Sequence, residues 1–243
     1  MNFEFFAVSH KGLVRENNED YFCIPSSSPL PKGLVVLADG MGGHKSGEVA
    51  SKMASDTFVT EFCALGDDKT ITEKLLLSLE KANSAVYTAA TDKLFKNNMG
   101  TTMTACYVED TKAVFLNVGD SRAYLVRDNE AVQVTQDHSV VQELLIKSII
   151  TEEEAANHPQ KNVITRAIGI EPTVNGDIFI KDIRHGDHIV LCSDGLTAHI
   201  DLNDLMILFD PACTVDSIAN TLRDLALAQG GTDNVTVVVI RCD

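Results

Sequence analysis

Residues 35–51 read VVLADGMGGHKSGEVAS. The apolar run from Leu34 to Ala38 ends at Asp39 and is followed at once by Gly40, Gly42 and Gly43. This reads as a buried strand that stops at a carboxylate and gives way to a turn able to wrap around an ion. Beyond Ser46, apolar positions at Val49, Met53 and Phe58 suit a helix, so strand, acidic glycine-rich loop and helix follow in order. The pattern recurs. LNVGD at 116–120 and IVLCSDG at 189–195 each carry an aspartate off the end of an apolar run, and GGTDN at 230–234 places one just before another.

Working outward, Phe3 to Val8 reads as a strand with Tyr21 to Ile24 as its partner, joined by SHKGLVRENNED, which carries Arg15, Glu19 and Asp20. The spacing predicts helices at about 47–63 and 71–95. The second has Leu75, Leu79, Ala82 and Val86 on one stripe and ends at Asn97, Asn98 and Gly100. From Thr101 to Val134 the period switches to strands at 102–108, 114–118, 122–126 and near 132. Gly119-Asp120-Ser121 is short enough to make the middle pair an antiparallel hairpin. Asp137-His138-Ser139 opens a helical stretch through Ile146, and TEEE at 151–154 has the form of a capping box for a short helix ending before Pro159. The irregular, charged stretch of about 146–161 reads as a surface flap. Strands at 178–183 and 188–192, amphipathic helices at 202–209 and 215–228, and a strand at 235–240 complete the chain. Strands in hairpin-like runs with helices in pairs predict mostly antiparallel sheets covered by helical pairs, an α+β architecture.

No linker composition and no internal repeat divides the 243 residues, so 1–243 is expected to form one compact domain. The N-terminus has no basic segment followed by an apolar core, and no apolar run nears the ~20 residues that span a bilayer, so the expected location is the cytoplasm with no membrane contact. A net charge of −15 repels nucleic acid and anionic lipid. The six cysteines lack any CxxC spacing and several sit in apolar runs, which argues against disulfides and thiolate metal sites.

Each of Asp39, Asp120, Asp194 and Asp233 taken alone could simply make a turn. Together they suggest more, because carboxylates carried off strand ends can converge at one edge of a sheet pair, where repulsion raises their pKa values unless cations lie between them. Oxygen ligands without paired His or Cys favour Mg²⁺ or Mn²⁺ over Zn²⁺. Arg15 can hold two phosphate oxygens at once, or pair with a neighbouring acid. Beside a two-metal cluster it suggests phosphate chemistry, in which two ions bridge a water, lower its pKa and align it for in-line attack on phosphorus without an enzyme nucleophile. Phosphate monoesters are among the slowest species to hydrolyse unaided, so metal charge and the arginine must supply a large barrier reduction. The GHKS stretch at 43–46 lacks the upstream glycine and the Gly-Lys pair of a P-loop, and nucleotide binding is not supported.

The series RENNED at 15–20, VVLADGMGGHKSGEVAS at 35–51, GTT at 100–102, NVGDSRAYL at 117–125, TQDHS at 135–139, NVITRAIG at 162–169, LCSDGL at 191–196 and GGTDNVTVVVI at 230–240 resembles the ordered motifs of the PP2C family of metal-dependent protein serine/threonine phosphatases, in their compact bacterial form. The resemblance spans nearly the whole chain. It implies a four-layer α-β-β-α sandwich, two mostly antiparallel sheets flanked by helical pairs, with a dinuclear Mn²⁺ or Mg²⁺ centre at one end. On matching positions, Asp39 would bridge both ions, the Gly40 carbonyl would ligate one, and Asp194 and Asp233 would complete the other. Glu19 and Asp20 would hold metal-bound waters, Arg15 would bind the substrate phosphate, and Asp120 with Asp194 would serve a third, weaker metal position. Asn234 would support the loop that aims Asp233, and the flap would lie near the substrate with His158 as a contact.

Many eukaryotic members have His directly after the central Asp-Gly, whereas this chain has Met41 there and His44 three positions later. His44 or a metal-bound water would therefore donate the proton to the leaving oxygen, and His138 is expected to be structural. The implied function is hydrolysis of phosphoserine and phosphothreonine in proteins by a monomer that opposes a bacterial serine/threonine kinase. A catalytically silent phosphoprotein-binding module on the same fold and a hydrolase of small phosphoesters stand as alternatives. Retention of every repelling acid argues against the silent module.

Overall fold

The computed structural model describes residues 1–24, 33–42, 46–91 and 99–243. In chain order these form β1 (Phe3–His10), β2 (Asp20–Cys23), β3 (Leu34–Met41), α1 (Ser46–Ala64), α2 (Ile71–Ala90), β4 (Gly100–Thr101), β5 (Met103–Glu109), β6 (Lys112–Val118), β7 (Arg122–Arg127) and β8 (Glu130–Gln133). There follow α3 (Val140–Ile146), α4 (Glu152–Ala156), β9 (Asp177–Asp182), β10 (His188–Cys192), α5 (Asp194–Thr197), a 3-10 segment (Leu202–Phe209), α6 (Val215–Ala228) and β11 (Val235–Cys242). Among the described residues the strands make two antiparallel sheets, ordered β1-β11-β10-β7-β8 and β2-β3-β5-β6-β9, with β4 pairing off β3.

Alternation within the strands builds the layers. Leu34 and Val36 of β3, Met103 and Ala105 of β5, and Leu116 of β6 face α1 and α2, where they meet Phe58, Leu75 and Leu79. Their neighbours Val35, Leu37, Cys106 and Phe115 turn the other way and pack between the sheets against Ile189, Leu191, Val238 and Ile240. On the far side Val190, Val235, Val237 and Val239 meet Ile218 and Leu222 of α6. A strand buried on both faces has no polar face, which is why these segments read as continuous apolar runs. Helix, sheet, sheet and helix thus stack in four layers, as the motif resemblance implied.

Several sequence expectations are corrected. The strand at 3–10 does not pair with that at 20–23; β1 pairs with β11, from Phe3 opposite Cys242 to His10 opposite Val235, while β2 pairs with β3. The polar connection between β1 and β2 therefore crosses from one sheet to the other. Residues 114–126 are not a hairpin either, because β6 lies between β5 and β9 whereas β7 lies between β10 and β8. At the crossing, Gly119 takes φ +105°, Asn117 donates to the Gly119 and Gln136 carbonyls, and Ser121 bonds to Thr102. These side-chain contacts turn the chain out of its sheet where a hairpin would keep it in. Strand β3 also runs on through Asp39 to Met41, since β4 pairs with Gly40 and Met41.

The helical segment at 202–209 is 3-10 and is broken at Leu205; Asn203 brackets the Ala131 amide and carbonyl, tying it to β8. A full helical pair covers only the α1/α2 face, and the other face carries α6 with short helical pieces. Helix α4 carries the expected capping box at Thr151 and Glu154. Helix α2 ends at Ala90 in the described chain, and its predicted end near 95–100 falls largely outside the described residues. No helix among the described residues is long and apolar enough to cross a membrane.

Candidate functional site

The adjoining ends of the two sheets bring the acidic motifs together. Asp20 opens β2 opposite Asp39 on β3, and its side chain reaches across to the other sheet. Ser193 and Thr236 both donate hydroxyl protons to Asp20 Oδ2, at 2.8 and 2.6 Å. Thr236 sits within an apolar strand on the face turned to the other sheet, and Ser9 lies 2.7 Å from its hydroxyl. Asp20 Oδ1 is buried with no hydrogen-bond partner. Burial is the first cause, with Asp194 and Asp233 adding to it, that pushes this carboxyl up to about 7 despite the two hydroxyls.

Asp39 is fixed through its backbone. Its amide donates to Thr102 Oγ1 at 3.0 Å, and its carbonyl accepts from the Thr101 hydroxyl and the Thr102 amide, both at 2.8 Å. The next residue must be glycine, because a Cβ at Gly40 would lie 2.1 Å from the Gly47 carbonyl oxygen and 2.6 Å from that of Glu19. The Asp39 carboxyl is held well above the usual range by burial first, and then by Asp20, Asp194, Asp120 and Asp233. Asp120, in the turn between β6 and β7, is pushed up to about 7 by burial, Asp194 and Asp137. Asp194 begins α5; burial and Asp233 raise its pKa, while a hydrogen bond with Asp39 lowers it.

Asn234 assembles the opposite wall. Its Oδ1 accepts the Glu19 amide at 2.8 Å, and its Nδ2 donates to the Lys11 and Asn17 carbonyls at 2.9 Å. Its own amide donates to Asp233 Oδ1 at 2.8 Å, so one side chain fixes the Arg15 loop to the residue beside Asp233. Arg15 Nη2 donates to Asp233 Oδ2 at 2.7 Å, with the arginine side chain 53% exposed. The Glu19 carboxyl is raised, chiefly by burial, with Arg15 opposing.

Glu19, Asp20, Asp39, Asp120, Asp194 and Asp233 are thus gathered at one end of the molecule. Among the described residues no three acidic, histidine or cysteine side chains are drawn tightly enough to form a ready-made ligand cage. Carboxylates with no cation between them repel one another, the same effect that adds to their raised pKa values. The donor set nevertheless suits a hard divalent ion: oxygen ligands, an orphaned buried carboxylate oxygen on Asp20, and a backbone approach at Gly40 that only glycine permits.

His44 lies outside the described residues. His158 accepts the Gln160 amide within its own loop. His138 Nδ1 accepts the Gly119 amide at 3.0 Å, while its Nε2 lies 3.1 Å from Asp177 and 3.0 Å from Arg166 Nη1; burial depresses its pKa, and the ring braces the Asp120 turn. Sequence reading assigned no role to Ser193 and Thr236, the hydroxyls on Asp20, nor to Arg122, which grips Asp137 through Nε and Nη2 at 2.9 and 2.7 Å. Of these only Thr236, a polar residue within the apolar run 235–240, left a mark in the sequence, and that mark does not name its partner.

A groove of about 730 Å³ leads away from Asp120 and Asp194 between α3 and α4 on one side and α5 on the other. A smaller hollow of about 390 Å³ lies by Leu125, Arg127 and Lys181, and none of Glu19, Asp20, Asp39, Asp120, Asp194 and Asp233 lines it.

Residues 13–229 match the family model described as protein phosphatase 2C. The chain is 36% identical over 240 residues to the serine/threonine phosphatase stp of Listeria monocytogenes serovar 1/2a, covering 96% of this chain and 93% of that protein. The serine/threonine phosphatase structure from S. agalactiae superposes with a TM-score of 0.91 at 35% identity, over 100% of both chains. The catalytic domain of the serine/threonine protein phosphatase PstP, in complex with two manganese ions, superposes with a TM-score of 0.83 at 36% identity, over 98% of this chain and 97% of that one.

Proposed function

The chain belongs to the protein phosphatase 2C family, and from that premise and the acidic site we infer that it is a metal-dependent protein phosphatase hydrolysing phosphoserine and phosphothreonine. The observation that carries this reading is the gathering of Asp39, Asp194, Asp120 and Asp20 into one mutually repelling group whose pKa values are pushed up together, with the Asp233 carboxylate close enough to add to the repulsion on Asp39, Asp194 and Asp20. A fold gains nothing from such an arrangement unless cations relieve it.

Asp39 and the Gly40 carbonyl would hold one ion, Asp39 with Asp194 and Asp233 a second, and Asp120 with Asp194 a third, weaker one. When bound, the ions supply the acidified water that attacks phosphorus, and Mn²⁺ or Mg²⁺ suits the oxygen donors. The chain's own groups do the rest. Arg15 would turn from Asp233 to the substrate phosphate and orient it, and Glu19 and Asp20 would accept hydrogen bonds from waters around the ions. Asp20 Oδ1 is the free acceptor for that purpose, with Oδ2 already occupied by Ser193 and Thr236. His44 is the candidate acid for the leaving serine or threonine oxygen. His44→Ala should then slow phosphopeptide turnover more than that of p-nitrophenyl phosphate, whose leaving group needs no proton.

The protein acts as a single domain, as a monomer in the cytoplasm, against the products of a serine/threonine kinase. Purified protein assayed on a phosphopeptide panel with Mn²⁺, with Mg²⁺ and with chelator tests the reading. Turnover that needs the ion supports it, whereas hydrolysis of free phosphoserine alone would favour the small-phosphoester alternative, and tight phosphopeptide binding without turnover the silent module.

A further inference from the structure

Thr102, the last residue of the GTT run, lies between β4 and β5 and is 3% exposed. Both branches of its side chain are in use. The hydroxyl accepts the Asp39 amide at 3.0 Å and sits 2.8 Å from the hydroxyl of Ser121, which is fully buried. The methyl packs so closely on Gly119 that a Cβ there would lie 2.5 Å from it. Thr102 therefore touches residues 119 and 121, on either side of Asp120, while its hydroxyl and its own amide hold both peptide groups of Asp39.

Thr104, two residues on, adds a second rung. Its hydroxyl lies 2.7 Å from Asn117 Oδ1 and 3.0 Å from the Ser121 carbonyl, and Asn117 in turn donates to the Gly119 carbonyl. A short column of buried hydroxyls thus latches the Asp120 turn to the strand that carries Asp39. Satisfying the Asp39 amide explains a hydroxyl at 102, since a buried amide without a partner is costly. It does not explain why the same side chain grips both flanks of Asp120. Ligand placement does: a carboxylate that holds an ion is oriented by the groups behind it, and loosening those groups typically weakens the ion by about 10–100-fold.

We propose that Thr102 is a positioning residue that fixes Asp39 and Asp120 relative to each other, so that the two ions at Asp39 and the weaker ion at Asp120 depend on one side chain. The inference rests on the metal-dependent reading above.

Mn²⁺ titration of the chelator-stripped chain provides the test, with calorimetry for the tightly held ions and the electron paramagnetic resonance signal of free Mn²⁺ for the weak one. Thr102→Val should weaken both classes of ion by about tenfold, and Thr102→Ser, which keeps the hydroxyl, should recover most of that loss. Ser121→Ala leaves the bond to the Asp39 amide in place and loosens only the Asp120 turn. It should weaken the weak ion by about tenfold and leave the tight ones near the wild-type affinity, a result that stands even if Thr102→Val does not fold. Urea midpoints of the metal-free variants separate placement from support. A lower midpoint with unchanged Mn²⁺ affinity in Thr102→Val would overturn the proposal, as would a Ser121→Ala protein that holds the weak ion as the wild type does. A wild-type protein that binds no Mn²⁺ would instead overturn the metal-dependent reading, and this proposal with it.

Discussion

Asp20 has one oxygen that holds two hydroxyl protons and another that holds none, all but closed off from water at 7% exposure. Folding lifts its carboxyl, and that of Asp120, from an ordinary 3.8 to about 7. A raised acid pKa means that the folded chain binds the proton more tightly than the unfolded one. Its contribution to stability is therefore full below about 4 and falls away as pH rises toward 7, by on the order of a few kcal/mol for Asp20. Urea denaturation of the metal-free protein at about pH 5 and pH 8 should give the lower stability at pH 8, with Mn²⁺ restoring it there; a flat profile would contradict the repulsion. At Arg15 the expectation is different. Its ion pair with Asp233 is exposed and worth at most about 1 kcal/mol, so Arg15→Ala should leave the thermal midpoint nearly unchanged and raise KM for phosphate esters, whereas a change confined to stability would favour a purely structural role. Arg15, Asp39, Asp194 and Asp233 were legible because an acid at the end of an apolar run, or an arginine amid acids, stands out. Ser193 and Thr236 were not, because Ser193 sits just past its strand at the start of α5, where a serine is ordinary, and the lone hydroxyl of Thr236 in an apolar run does not show what it faces until the opposite sheet is known.

Among the elements, the connection from Lys11 to Glu19 has no regular structure, and Asn234 binds its backbone at 11, 17 and 19. Asn234→Ala leaves those groups without their partner and should cost about 2–4 kcal/mol in urea denaturation, together with a weaker apparent affinity for Mn²⁺. Loss of stability with unaltered metal affinity would separate the clamp from the site. Residues 114–126 were misread for a related reason: a three-residue GDS turn looks like a hairpin when only length is counted, and the contacts that rotate it out of the sheet come from Asn117, Thr102 and His138. Helices α1, α2 and α6 were legible from their apolar stripes, whereas the segment at 202–209, read as an amphipathic helix, is 3-10 with a break at Leu205 and is tied through Asn203 to Ala131, 72 residues away.

Across the whole molecule, the period-two alternation of doubly buried strands divides the core into three apolar layers, and the active end is where the two sheets' strand ends meet. Phe115 is fully buried between the sheets. Phe115→Ala should cost about 3–5 kcal/mol in a urea titration, and a loss below about 1 kcal/mol would mean that the sheets are not packed through it. The layers were visible in the runs of apolar residues, but which strand joined which sheet was not, since an apolar run buried on both faces fits either one. The central claim is that acids far apart in the chain converge to hold divalent ions. Isothermal titration of the chelator-stripped protein with Mn²⁺ tests it most directly: the account predicts two ions bound per chain and loss of that binding in Asp39→Asn with the fold intact, and it is contradicted by a wild-type protein that binds none or by a variant that binds as the wild type does.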